Sequence, residues 1–182
     1  MKKMKNSILK SALVFFIMVI VSSCGGSDDN TQQPINENTW KLNDYNFARS
    51  TSTQTATTYT NGNPFTQVNV DSTISESNGS FKTCNVVFWF NTSTEGTYMA
   101  KSATTLSSFS TLKYMNIKCI VTNAAGLGAS YESIDTDVSI IVTKVNNKFV
   151  ITASQPLTLT KTYDNGLPNA PTTINFKCDN VR

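Results

Sequence analysis

Four aromatic side chains on separate segments are the residues best suited to binding chemistry in this sequence. Trp89, Tyr98, Tyr114 and Tyr131 each lie in a run whose alternating apolar residues are typical of a β-strand. Aromatic rings stack on sugar faces or line apolar pockets, and indole and phenol groups add a polar contact. We expect these side chains to form a ligand-binding surface, and Trp89 is the first candidate because its strand is apolar on both faces. The alternative is that each ring belongs to the core or its rim.

The sequence contains no histidine. Ser-His-Asp and Cys-His nucleophilic systems need an imidazole to take a proton near neutral pH, so both are excluded. Zinc, copper and iron sites built on histidine are excluded for the same reason. A Ser-Lys dyad or a carboxylate pair would pass this filter, but most acidic residues fall in predicted turns. We therefore expect a non-catalytic protein without a cofactor and without a metal site.

One acidic cluster has the ligand types that calcium prefers. Asp135 and Asp137, with Glu132 nearby, could offer carboxylate oxygens to Ca²⁺. Their spacing matches only the first two ligand positions of a helix-flanked calcium loop, and the later Gly and Glu are missing. A hairpin turn is the favoured interpretation of this segment.

Cys24 follows an N-terminal segment with the three parts of a secretory signal. The uncharged apolar run 12–21 is about half the roughly 20 residues that a transmembrane helix needs, and the small residues Ser22 and Ser23 separate it from Cys24. The basic residues that precede the run are Lys2, Lys3, Lys5 and Lys10.

The order Val21-Ser22-Ser23-Cys24 resembles the lipobox of bacterial lipoproteins. This resemblance implies that residues 1–23 are a lipoprotein signal peptide and that Cys24 becomes the first residue after cleavage. It also implies that Cys24 carries fatty acyl chains such as palmitate, and two or more chains hold a protein stably to a bilayer. The alternative is an ordinary cleaved signal in which Cys24 has no role.

Residues 24–38 form a predicted flexible tether after the lipidated cysteine, because they are polar and almost without apolar side chains. The acidic pair Asp28-Asp29 resembles the export signals that send some Gram-negative lipoproteins to the outer face of the outer membrane. Gly25 stands where an aspartate would retain a lipoprotein at the inner membrane in some bacteria. We expect a lipid-anchored protein of the outer membrane, exposed at the cell surface.

The charge of the chain depends on its signal. The whole sequence has a net charge of +3, but four of its 15 basic residues and none of its 12 acidic residues lie in the signal, which leaves 11 − 12 = −1. No basic run or patch remains to grip nucleic acid, so we expect no nucleic-acid partner.

Three further cysteines, Cys84, Cys119 and Cys178, each share a predicted strand face with apolar residues. Cysteine is among the most buried side chains, so small core residues are the simplest interpretation. In an oxidising compartment the odd number allows one disulfide and a free thiol, or three buried thiols.

Residues 39–182 form a predicted single β domain, because Thr, Val, Ile, Tyr and Phe alternate between turn signals. We expect roughly nine to eleven short strands in an antiparallel meander that forms a sandwich or a lipocalin-like barrel. A cleaved signal helix and a disordered tether precede it. The predicted turns are Asn43-Asp44, Asn61-Gly62, Asn78-Gly79 and Asn146-Asn147.

The domain also resembles small lipoproteins that carry one compact β domain after a lipobox. The resemblance depends on the first hairpin with Trp40, on Gly96-Thr97-Tyr98 and on the closing strand with Ile174-Asn175-Phe176. It implies a fold class and brings no catalytic residues.

The expected function is a non-catalytic ligand-binding or accessory module, held to the membrane by its lipid anchor. Its ligand would be a glycan, a small apolar molecule or an envelope protein partner. The alternative is a structural or interaction subunit of a cell-envelope assembly without a small-molecule site. An apolar cavity lined by Trp89 and two or more tyrosines would favour ligand binding, whereas an exposed apolar patch over a filled core would favour the subunit.

Overall fold

The strand that is apolar on both faces lies inside the sheet. In this computed structural model, β5 (Thr83–Asn91) pairs antiparallel with β4 (Pro64–Ser72) on one edge and with β7 (Tyr114–Thr122) on the other. Val86, Phe88 and Phe90 point into the core. The partners of β5 on both edges, the core on one face and the burial of Val87 on the other account for its nearly continuous apolar sequence.

The structure describes residues 38–58, 62–72, 81–108 and 111–182, which belong to one compact unit, Asn36–Arg182. The predicted signal peptide, Cys24, the tether up to residue 37 and the turn Asn78-Gly79 lie outside the described residues. The other elements are β1 (Thr39–Leu42), β2 (Tyr45–Ala48), β3 (Thr51–Thr58), β6 (Gly96–Ala100), α1 (Ala103–Ser108), β8 (Gly128–Ser133), β9 (Ser139–Val145), β10 (Lys148–Asp164) and β11 (Thr173–Val181).

The prediction of an all-β fold is confirmed, since one mostly antiparallel sheet contains every strand of the described residues. Hairpins join β1 to β2, β3 to β4 and β9 to β10. The predicted turn between β9 and β10 consists of Asn146 and Asn147, both with positive φ (51° and 62°). Two central residues with positive φ match the right-handed twist of the strands that they connect.

One local arrangement differs from the expected meander. β6 and β7 are parallel, and the short helix α1, which the sequence pattern did not predict, lies between them in the chain. Two parallel neighbours need a crossover, because the last residue of the first strand and the first residue of the second lie at opposite ends of the strands. The order along the sheet is β2-β1-β11-β10-β9-β6-β7-β5-β4-β3, so β5 pairs with β7 rather than with β6.

The sheet closes on itself through β8. This strand pairs with both β7 and β10, while β6 pairs with both β7 and β9, so the pairing runs from β7 through β8, β10, β9 and β6 back to β7. The strands β5-β4-β3 extend from β7, and β11-β1-β2 extend from β10. The fold therefore combines a closed ring of strands with two open arms that face each other across one core.

Side chains tie the two arms together. The indole N–H of Trp40 on β1 donates to Cys84 Sγ on β5 at 3.2 Å. The Gln54 amide on β3 also reaches β10, where it accepts from the Phe149 N–H and donates to the Phe149 carbonyl oxygen, both at 2.8 Å. The amide replaces a neighbouring strand at Phe149, because it satisfies the two backbone groups that a ladder would satisfy.

The core contains the three thiols that were predicted to face inwards. Cys84, Cys119 and Cys178 are buried and free. Burial raises the pKa of the Cys178 thiol to about 12 and the pKa of Cys119 well above its ordinary value. The Cys119 and Cys178 thiols are therefore protonated packing groups in the folded domain.

Candidate ligand-binding site

An apolar cleft lies between α1 and the outer face of the sheet. Its volume is 340 Å³, within the range of small-molecule pockets, which runs from about 300 to 1,000 Å³. The sheet supplies residues from β4, β5 and β7, and the helix supplies the opposite wall. The lining residues are Phe65, Trp89 and Asn116 from the sheet and Ala103, Leu106 and Ser107 from the helix.

Strand register brings the three sheet residues together. Trp89 on β5 lies opposite Gln67 on β4 and opposite Asn116 on β7. Phe65 lies two residues before Gln67, so it shares the outer face and is a diagonal neighbour of Trp89. Three neighbouring strands therefore present two aromatic side chains and one amide side by side on one face.

The helix α1 is held over this face at its first turn and in its middle. Ser102 Oγ accepts from the Thr105 N–H at 3.3 Å, which is the hydrogen bond of an N-cap residue. Asp135, in the segment between β8 and β9, accepts from the Ser102 N–H at 2.8 Å and from the Thr105 hydroxyl at 2.7 Å. These hydrogen bonds hold the pKa of the Asp135 carboxyl below its ordinary value. Leu106 is buried and is the anchor of the helix.

The indole of Trp89 is fixed by its neighbour on β4. Its N–H donates to Gln67 Oε1 at 3.0 Å, and the side chain is half-buried. Indole has one donor and no acceptor. Since that donor is used, the ring offers the cleft apolar surface only.

Asn116 is a buried polar residue beneath this largely apolar lining. Its side chain is fully buried, and Nδ2 lies 3.0 Å from the Lys101 carbonyl oxygen, 3.1 Å from Glu132 Oε1 and 3.1 Å from Ser133 Oγ. Ser133 gives its own hydroxyl hydrogen to Lys101 O at 2.7 Å, so Ser133 Oγ is an acceptor here. Three acceptors around one atom identify that atom as the amide nitrogen.

The other end of the same amide has no partner. Among the described residues, no hydrogen-bond partner reaches Asn116 Oδ1, although the atom is buried. A buried acceptor without a partner costs free energy comparable to a lost hydrogen bond. Asn116 Oδ1 is therefore an unsatisfied acceptor inside the fold, and it exposes almost no surface to the cleft.

The structure does not bring the four predicted aromatic residues together. Trp89 lines the cleft, but Tyr98 and Tyr131 are fully buried core residues. The Tyr98 ring packs against Phe90 at 5.3 Å, and its hydroxyl donates to the Thr94 carbonyl oxygen at 2.7 Å. The expected shared surface is corrected for these two tyrosines, since their positions in the pleat point inwards whereas Trp89 points outwards.

Tyr131 and Tyr114 lie in different surroundings. The Tyr131 hydroxyl donates to the Pro171 carbonyl oxygen at 3.1 Å, and burial, with a smaller effect from Asp164, raises its pKa to about 12. Tyr114 is half-buried, and Lys101 Nζ lies 5.6 Å from the centre of its ring. Neither tyrosine lines the cleft.

The acidic cluster that was considered for calcium has structural roles. Asp135 caps α1, and Asp137 lies 3.8 Å from Lys101 Nζ. Across the residues that the structure describes, no group of three or more acidic, histidine or cysteine side chains is arranged to hold a metal ion.

Sequence reasoning missed Phe65, Leu106 and Asn116. A usable signal existed for the helix, since Ser102 followed by Thr105 fits an N-cap and its third helical position. Asn116 sits alone between apolar residues in Met115-Asn116-Ile117, and a polar residue inside such a strand marks either an outward position or a buried polar contact.

No protein-family model matches this chain, and neither a curated protein nor a solved structure matches it. Within the described ranges, no helix has the length and apolar character that crossing a membrane requires.

Proposed function

We propose that this chain is a surface-exposed lipoprotein of the outer membrane whose β domain binds a small, largely apolar ligand without catalysis. The observation that carries the proposal is the cleft under α1, whose walls include the apolar side chains of Phe65, Trp89 and Leu106. Ligand pockets typically pair an apolar lining with a few placed polar groups.

The lining favours a small apolar molecule over a glycan. A sugar ring carries several hydroxyl groups, and each loses free energy when it leaves water without a partner. Four of the six lining residues offer ring or aliphatic surface, and Ser107 offers a single hydroxyl. The Trp89 N–H is already bonded to Gln67. A ligand with little polar surface therefore loses least on entry.

The anchoring part of the proposal depends on the N-terminal sequence. The order apolar, small, small, cysteine at Val21–Cys24 and the acidic pair Asp28-Asp29 support lipidation and export to the cell surface. Replacing Cys24 by alanine should release the chain from the membrane fraction, whereas replacing the neighbouring Ser27 by alanine should leave it there. Retention of the Cys24→Ala chain in membranes would contradict the anchor.

The two tryptophans give a direct test of ligand binding. Trp40 donates to Cys84 in the core and Trp89 donates to Gln67 beside the cleft, so the ¹⁵N-labelled full chain should show two distinct indole N–H resonances. Small aromatic and aliphatic compounds are added one by one. A ligand of the cleft should shift the Trp89 resonance and leave Trp40 in place. A set of such compounds that never moves Trp89 would contradict the proposed function.

A second candidate function, a subunit of an envelope assembly, is favoured by one surface observation. Met99 on β6 and Ile141 on β9 are 44% and 47% exposed, and they lie diagonally across adjacent strands on the outer face. Crosslinking in cells separates the two candidates. If this face binds a partner, Ile141→Lys should abolish a crosslinked product that Asn46→Lys, at an exposed position on β2, retains. Equal products from both variants would count against the subunit.

A further inference from the structure

The two edge strands of the sheet differ in how they are protected. Among the described residues, β2 (Tyr45–Ala48) pairs only with β1, and β3 (Thr51–Thr58) pairs only with β4. Edge strands present unpaired backbone groups, and natural proteins block them with short length, charge, proline or a bulge. β2 has four residues, with Asp44 and Arg49 close to its ends. β3 has eight residues, no charge, no proline and a continuous register with β4.

We propose that the open edge of β3 pairs antiparallel with β3 of a second copy of this chain. Strand addition of this kind satisfies the backbone groups of both edges with main-chain hydrogen bonds. The proposed contact is made by a strand edge and not by the cleft, so it does not depend on the ligand.

The pairing with β4 determines which backbone groups of β3 face the open edge. Opposite residues in an antiparallel ladder alternate between hydrogen-bonded pairs and pairs that direct their N–H and C=O groups away from each other. Pro64 has no N–H to give, so its pair with Thr58 is of the second kind. Alternate residues of a strand share this direction. The backbone groups at the open edge therefore belong to Ser52, Gln54, Ala56 and Thr58.

A second strand can reach this edge. The Gln54 side chain bonds to Phe149 in β10, but it does so on the inner side of the sheet. Beyond Gln54, the residues Thr55, Ala56 and Thr58 are exposed. Since Ala56 points to the inner side and is still exposed, the core does not cover this end of the strand.

The sequence of β3 fits a copy of itself. The strand carries no charge, so two copies meet without the like-charge repulsion that destabilises cross-strand pairs. A two-fold axis at Thr55 pairs Ser52 with Thr58 and Gln54 with Ala56, which uses all four edge-facing residues. The same axis places Thr55 opposite its own copy, and threonine pairs across antiparallel strands are favourable.

The size of the contact sets its strength. One strand pair is a small interface beside those of stable complexes, which bury about 1,200–2,000 Å². The dimer should therefore be weak in dilute solution. It should form where chains are confined to one membrane, as the proposed lipid anchor would confine them, because confinement raises their effective concentration.

Crosslinking in cells tests the pairing. The full chain carries Thr55→Cys or, as the matched control, Asn46→Cys at an exposed position on the other edge strand. A short bismaleimide links two accessible thiols that lie close together, and the three core cysteines are buried. The proposal predicts at least about tenfold more dimer from Thr55→Cys. Equal amounts of dimer from both variants, or a product with another protein in place of the dimer, would overturn it.

The edge and the cleft have separate readouts. Indole, added as a small aromatic probe of the cleft, is read at the Trp89 resonance, whereas the edge is read from the crosslinked dimer. A dimer in a chain whose Trp89 resonance no compound moves would support this inference and contradict the proposed function. A Trp89 shift without the dimer would do the reverse.

A proline at the open edge tests the role of the backbone. Ala56→Pro in the Thr55→Cys chain removes an N–H that faces the open edge, so the dimer should fall at least about tenfold. Ala56→Val is the matched control, because it keeps that N–H and should retain the dimer. An undiminished dimer from folded Ala56→Pro would contradict the proposal. If that variant does not fold, the comparison of Thr55→Cys with Asn46→Cys still decides.

Discussion

The two faces of β5 and β7 are built from alternating residues of the same two strands but have different chemistry. On the inner face, Cys84, Phe88 and Cys119 are fully buried in one continuous core. On the outer face, Trp89 is half-buried, and Asn116 is buried with an acceptor that lacks a partner. The inner face is packed and satisfied, whereas the outer face under α1 is incompletely filled and incompletely bonded.

The two tryptophans show the same difference. Trp40 stacks on Phe47 with ring centres 5.8 Å apart and donates to a buried sulfur, so its surroundings are complete. Trp89 has its N–H bonded to Gln67 but borders a 340 Å³ cleft. One side of the Trp89 ring therefore borders open space, whereas Trp40 is enclosed in the core.

The largest expected effect is on stability. Phe88→Ala on the inner face should lower the free energy of unfolding by about 3–5 kcal/mol, because it leaves a cavity in the core. Trp89→Ala on the outer face should cost less, about 1–2 kcal/mol, since that ring is only half-buried. Urea denaturation of both variants measures the difference. Equal losses would show that the cleft face is part of the stabilising core.

At high pH, the groups whose protonation differs between the folded and unfolded chain should be side chains of the buried inner face. The folded domain raises the pKa of Cys178 from 9.0 and of Tyr131 from 10.0, each to about 12. Between these values the unfolded chain has released protons that the folded chain still holds, so stability should be constant below about pH 9 and fall as the pH rises towards 12.

Variants identify the groups behind that slope. The double variant Cys178→Ala and Tyr131→Phe should reduce the decline of the melting temperature above pH 9, and the raised pKa of Cys119 should account for part of what remains. Tyr163→Phe, at an exposed position, should not change the decline. Binding to the cleft should be unchanged over neutral pH, because none of its six lining residues titrates. An unaltered slope in the double variant would contradict the raised pKa values.

A smaller effect is expected from the residue that holds α1 in place. Asp135→Asn weakens the hydrogen bonds to Ser102 and Thr105, so the helix wall should loosen and indole affinity should fall by roughly three- to tenfold. Asp137→Asn is the matched control, since Asp137 is exposed and its nearest cation lies 3.8 Å away. Similar affinities for the two variants would mean that α1 does not depend on its cap.

Local sequence patterns predicted the parts of the site that lie within one strand. The double-faced pattern of Thr83–Asn91 indicated a covered strand with Trp89 on the face opposite Phe88, and this is confirmed. The turn at Asn146-Asn147 was equally readable. In both cases the information lies in neighbouring residues.

The rest of the site depends on contacts that the local pattern does not encode. Phe65 and Asn116 reach Trp89 only through the registers β4–β5 and β5–β7, and the second of these pairs skips β6. Whether Tyr98 and Tyr131 share a face with Trp89 also depends on register between strands, because a shift of one residue reverses the face. The six residues of α1 have one buried side chain, Leu106, which is too few for a helical period.

A structure of the full chain soaked with indole tests the central claim most directly. We expect the indole ring between α1 and the outer face of the sheet, in contact with Trp89 and Leu106. Indole bound only elsewhere, or no bound indole, would contradict the account.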